Sequence, residues 1–195
     1  MKKIGTFIQI MGCLLIIVGF STFLLTQMNS NRAQKKKEVI VNQIESLLPD
    51  RTSGTIEDYT SMTMPVLQIE GKDFAGLVEI PAVGIKLPIY NTWDTSIINV
   101  YACRFYGTVY DGSLVIGGAD QEGQFDCFDQ LREETEIQVT DMAGTEFIYH
   151  IKRIDRAESA DQDRLLNEEF DLTLFVRDRF SLDYLIVRCM KGDFR

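Results

Sequence analysis

Four cysteines and one histidine are the residues of this chain best suited to nucleophilic or metal chemistry: Cys13, Cys103, Cys127, Cys189 and His150. A thiol beside an imidazole would support covalent catalysis, and a cluster of such residues would hold zinc. The spacing favours neither. No C-x-x-C pair occurs and the histidine is single, so no metal site and no cofactor are expected. Cys13 falls in an apolar run, which leaves an odd three outside it, and spacing assigns no disulfide among them. Cys127 sits among Phe125, Phe128 and Leu131, where a free cysteine reads as a packed small hydrophobe. His150 lies in the strand-like run 147–154 and reads as structural or exposed.

Any chemistry needs elements to position it, and the chain divides into distinct stretches. Residues 1–3 form a short flank. Residues 4–26 are apolar almost throughout, with Gln9 the one strongly polar residue. At about 1.5 Å per helical residue this run exceeds a hydrocarbon core of about 30 Å, so a retained transmembrane anchor is expected. Residues 27–63 read as a basic juxtamembrane segment, a short amphipathic helix and a linker. The helix is carried by Ile40, Ile44, Leu47 and Leu48, spaced i, i+4, i+7 and i+8, and closed by Pro49. From residue 64 to 195 the pattern turns to short β-rich runs at 76–80, 86–90, 114–117, 136–140, 146–154, 172–176 and 184–188. Turn residues such as Pro81, Gly84, Asp111-Gly112 and Gly144 separate them. The spacing of Phe125, Phe128 and Leu131 adds a helical turn or two. Many short strands with little helix predict a small, mainly antiparallel β-barrel.

Charge narrows the partners. Residues 1–37 carry six basic residues and no acid, while the rest holds 14 Lys and Arg against 29 Asp and Glu. A strongly acidic domain is a poor match for nucleic acid, which needs a basic face. By the positive-inside count, Arg32 and Lys35 to Lys37 outweigh Lys2 and Lys3, which taken literally puts the C-terminal domain inside.

Five stretches in order resemble the sortases. Gly76-Leu-Val-Glu-Ile-Pro81 with Gly84-Ile-Lys-Leu-Pro-Ile-Tyr90 resembles the family's opening strands. Leu114-Val-Ile-Gly-Gly118 resembles the strand that runs into its Gly-His pair, and 125–131 the turn after it. Thr140-Asp141 with 144–149 resembles its D-x-x-G hairpin. Asp171-Leu-Thr-Leu-Phe175 and Val187-Arg-Cys189 resemble its closing strands, most like the class B-type or related Firmicutes branches. The resemblance covers 76–189 and implies a closed sortase-like β-barrel with short helices, outside the cell membrane.

It also implies a chemistry, that of a cysteine transpeptidase joining surface proteins to the cell wall or to pilin subunits. A thiolate attacks the Thr carbonyl of a Leu-Pro-x-Thr-Gly-like sorting signal. A histidine carries protons, and an arginine stabilises the developing oxyanion. In this chain the family histidine position is Ala119, the cysteine position Arg177 and the arginine position Tyr184, with the seven-residue interval between the last two intact. None of the three can take its family role. Cys189 is no substitute, for it lies five residues past Tyr184, about 16 Å along a strand and on its other face. The resemblance therefore predicts a pseudo-sortase, a membrane-anchored surface protein whose partners are the membrane, a sorting-signal peptide, a pilin or another sortase. Two alternatives are an active transpeptidase rebuilt around Cys103 or Cys127 and a purely structural domain. In the structural case, Arg177 is held by Asp178, Asp183 or Asp120.

Overall fold

The computed structural model describes residues 2–49, 52–53, 63–166 and 169–192. The chain divides into two compact units, Met1–Lys36 and Lys37–Arg195. The first holds most of helix α1 (Lys2–Leu47). The expected anchor helix and amphipathic helix are thus one continuous helix, because nothing between residues 26 and 40 breaks it: there is neither Pro nor Gly. Among the described residues no helix is long and apolar enough to cross a membrane. The expected transmembrane span over 4–26 thus has no support from the fold. The side chains of residues 3–10 and 23–26 lie outside the described ones.

The second unit holds the barrel. Its strands are β1 (Thr52–Ser53), β2 (Leu67–Ile69), β3 (Lys72–Ile80), β4 (Ile85–Tyr90), β5 (Ala102–Tyr106), β6 (Leu114–Ala119), β7 (Glu136–Asp141), β8 (Thr145–Ala157), β9 (Leu172–Arg177) and β10 (Tyr184–Lys191). Eight of them close on themselves in the order β3, β4, β5, β6, β9, β10, β8, β7, while β1 and β2 flank β8 and β3. Most neighbours run antiparallel, as expected, but β4–β5 and β6–β9 within the barrel, and β1–β8 at its edge, are parallel joints. Parallel neighbours need long crossovers. One of these crossovers carries a short helix α2 (Gln162–Leu165). Strand β5 falls between the runs the sequence marked as strands, in a stretch that none of them covers. Residues 50, 51 and 54–62 of the expected linker lie outside the described residues.

The barrel interior is filled by inward-facing residues of alternate strand positions, among them Val78, Ile80, Leu87, Ile116, Val139, Phe147, Leu174 and Val187. A second cluster lies outside the barrel wall. There Ile40, Val41 and Ile44 of α1 pack on Ile69, Phe74, Leu77 and Tyr101. Leu47, expected on the same apolar stripe, is exposed, because the helix ends there and its side chain has no partner surface. Lys37 belongs to the basic juxtamembrane segment by sequence. It is buried, and its Nζ donates to Gly123 O at 2.6 Å. Burial lowers its pKa, against the raising influence of Asp126 and Glu122.

The D-x-x-G hairpin between β7 and β8 has a clear physical basis. Gly144 takes φ +81°, a left-handed conformation that glycine adopts without strain. The buried Asp141 carboxylate accepts hydrogen bonds from the Ala143 and Thr145 amides at 2.9 and 2.8 Å, and from the Tyr110 hydroxyl at 2.6 Å. Asp141→Ala leaves three donors without their acceptor and should lower stability by about 3 kcal/mol in urea unfolding, with Tyr110→Phe costing about 1 kcal/mol.

Candidate functional site

Strands β6, β9 and β10 build the site by register. Their outward residues line up in three rows: Val115, Thr173 and Arg188; Gly117, Phe175 and Ile186; Ala119, Arg177 and Tyr184. The three sequence-predicted site residues are thus direct neighbours in the row at the open end. They line one cavity of about 480 Å³ together with Trp93, Phe105, Asp120, Leu165 and Arg179. A second cavity of about 470 Å³ adjoins it through Leu165 and continues past Val115 and Thr173 to Tyr106 and Phe170.

The floor of this groove is aromatic. Trp93 stacks on Phe175 with ring centroids 5.4 Å apart, and Phe105 meets both edge-on at 5.4 and 5.6 Å. Both glycines of the 114–118 motif make room for rings. A Cβ on Gly117 would collide with Trp93 and Phe175, and one on Gly118 with Phe125. Gln124, fully buried, ties the groove wall together: its Oε1 accepts from Ala119 N at 3.1 Å and its Nε2 donates to Ile98 O at 3.1 Å. At the far end Arg188 of the Val-Arg-Cys motif is buried. It donates to Leu165 O and Thr173 Oγ1, each at 3.1 Å, and to Arg164 O, so it pins α2 as the opposite wall.

Arg177 does not behave as the structural alternative expected. It is exposed, and no ion pair among the described residues involves it. Its Nε donates to Leu182 O at 3.2 Å and its guanidinium lies over the Tyr184 ring, 5.9 Å from the centroid. Two of the three acids expected to hold it, Asp120 and Asp178, are engaged elsewhere. Asp120 lines the cavity, as its place after Ala119 suggested, but it accepts from Arg179 N at 2.9 Å and pairs with Arg179 Nε at 3.4 Å. Asp178 pairs with Arg156 at 3.4 Å and accepts from the Ser181 and Phe180 amides, which hold its carboxyl below the usual range. Those bonds also frame the β9–β10 turn, where Leu182 sits at φ +66°.

The cysteines do not join this site. None lines the groove, and all three of the barrel are unpaired and buried. Burial pushes the Cys103 thiol up to about 11 and the Cys127 thiol up to about 12, and it raises Cys189 as well. A thiol held protonated is a poor nucleophile. His150 sits on β8 opposite Glu136 and Met190, seven residues from Ala157, the partner of Tyr184. That places it about 23 Å along the strand from the groove. Among the described residues no three His, Cys, Asp or Glu side chains come together to hold a metal. What the groove offers is an apolar floor, two guanidinium groups and no thiol or imidazole.

No protein-family model and no curated protein matches the sequence. Solved structures do. A lid mutant of sortase A from Corynebacterium diphtheriae matches with 22% identity over 64% of this chain and 73% of that one, at a TM-score of 0.56. The fold is that of the sortases. Sortase C of Clostridium perfringens, solved with the C-terminal cell wall sorting motif, matches with 22% identity over 63% of this chain and 72% of that one, at a TM-score of 0.55. Sortase C1 of Streptococcus agalactiae matches with 19% identity over 70% and 75%, at 0.55. These sortases are of classes A and C; the sequence motifs look most like the class B-type or related Firmicutes branches.

Sequence reasoning reached the row of Ala119, Arg177 and Tyr184 and missed Trp93, Phe105 and Gln124. Trp93 is the sole tryptophan, in a turn-rich stretch with no periodic pattern to mark it. In native protein at pH 7.5, iodoacetamide should leave Cys103, Cys127 and Cys189 unmodified by mass, and all three should react in urea. Their raised pKa values also set a pH window. Above about pH 9 the unfolded chain ionises thiols that the folded one keeps protonated, so stability should fall as pH rises from 9 towards 12. A flat denaturation midpoint across that range would show that these thiols are not buried.

Proposed function

We propose that this chain is a membrane-anchored, extracytoplasmic pseudo-sortase: a binding or accessory protein in the attachment of surface proteins or pilin subunits. The observation that carries the reading is the single row of Ala119, Arg177 and Tyr184. Motif resemblance assigns the family's histidine, cysteine and arginine to these positions, and strand register brings the same three residues together at one groove. A misplaced alignment would scatter them. Ala119 carries no proton, Arg177 is a permanent cation and not a nucleophile, and Tyr184 offers one neutral donor.

The buried, protonated state of Cys103 and Cys127 weighs against the rebuilt enzyme. No carboxylate pairs with Arg177 among the described residues, which weighs against the purely structural domain. The apolar run 4–26 supports the anchor, since 23 helical residues span about 34 Å. The extracytoplasmic placement rests on the fold, and it runs against the positive-inside count. Protease shaving of intact cells should remove the domain, and a domain left untouched would place it inside.

Incubation with a Leu-Pro-x-Thr-Gly peptide should give no thioester by intact mass. Restoring Arg177→Cys alone should recover nothing measurable, because the three family groups act as a unit. The triple change Ala119→His, Arg177→Cys and Tyr184→Arg should form detectable acyl-enzyme. A covalent adduct on the wild-type chain would end the pseudo-sortase reading.

A further inference from the structure

We infer that the groove recognises the C-terminal carboxylate of an extended peptide, with Arg177 as the residue that binds it. The inference rests on the reading of the cavity as a binding groove rather than a catalytic one. Arg177 is exposed at the mouth of the cavity, and its two terminal nitrogens have no partner among the described residues. Its third nitrogen is tied to Leu182 O and its plane lies over Tyr184, so the guanidinium is oriented before any ligand arrives. An arginine held in this way presents a fork that fits a carboxylate with two parallel hydrogen bonds. Pre-orientation also lowers the entropy lost on binding.

The local charges select the same ligand. Two acids near Arg177 in sequence or register are turned away from it, Asp120 to Arg179 and Asp178 to Arg156 and the turn amides. The cavity lining thus holds two cations and one committed anion, in a domain that is otherwise strongly acidic. Ala119 presents only a methyl group beside Arg177, which leaves room for a chain end.

Length and polarity favour a peptide over a small acid. The three rows from Thr173 to Arg177 span about 13 Å, the reach of four extended residues. Trp93, Phe105 and Phe175 would take apolar side chains along that path. Asn99 lines the same rim with a side-chain amide that has no partner among the described residues and can meet a peptide group. An internal peptide segment would put a neutral carbonyl on Arg177, where a terminus puts a full charge. Charge-assisted bonds are roughly twice as strong.

The test uses the full chain in mild detergent and two N-acetylated random tetrapeptide libraries that differ only in ending in a carboxylate or an amide. Retained peptides are read by mass, and binding of the pooled hits is followed by the fluorescence of Trp93, the sole tryptophan. The carboxylate library should be retained at least about tenfold better. Arg177→Gln should erase that preference at an unchanged melting temperature, and Arg177→Lys should keep part of it. Equal retention of both libraries, or a preference that survives Arg177→Gln, overturns the inference and leaves a binding groove of another specificity. Retention of neither library, with Trp93 fluorescence unmoved, overturns both the inference and the groove.

Discussion

Strand β9 lies between β6, to which it runs parallel, and β10, to which it runs antiparallel. Each of its residues belongs to one of two environments. Leu172, Leu174 and Val176 point into the barrel core, while Thr173, Phe175 and Arg177 point to the outer face. A slip of one residue would exchange the two sets, driving a guanidinium and a hydroxyl into the apolar interior. That penalty sets the register, and the register sets the groove. Every feature of the site, from the pairing of Ala119 with Arg177 to the stacking of Trp93 on Phe175, follows from which residues of β9 are forced outward.

The walls then depend on a few polar side chains that tie separate elements together. Gln124 joins the end of β6 to the stretch that carries Trp93. Arg188 holds α2 against β9 from below. Asp178 folds the β9–β10 turn so that Leu182 can receive Arg177. The groove is therefore a built feature with fixed sides. The strands and turns that shape this groove are anchored by residues other than Ala119, Arg177 and Tyr184. The fold by itself therefore does not establish an activity.

Electrostatics gives the groove a character unlike the rest of the domain. The domain carries a large excess of acid, yet the open end of the groove presents Arg177 and Arg179 against a single acid already bound. Field lines concentrate in a cleft with apolar walls.

Much of this was legible in the sequence. Period-two runs and turn glycines marked seven of the barrel strands, and the ordered motifs singled out Ala119, Arg177 and Tyr184, which strand register makes neighbours. Local pattern suffices where one face of a strand is apolar and the next residue is not. The sequence likewise marked Cys127 as packed, since its aromatic neighbours recur at helical spacing. It did not reveal strand β5, whose residues carry no clean alternation, or the continuity of α1. It also left open what Arg177 would meet, because Asp178, Asp183 and Asp120 all lay near it in sequence or in register. Tertiary structure decided that question: Arg156 on β8 and Arg179 in the β9–β10 turn reach two of these acids first. Pairing between charges depends on distances of a few ångströms set by strand register and turn shape, and a linear pattern of residues does not carry those distances.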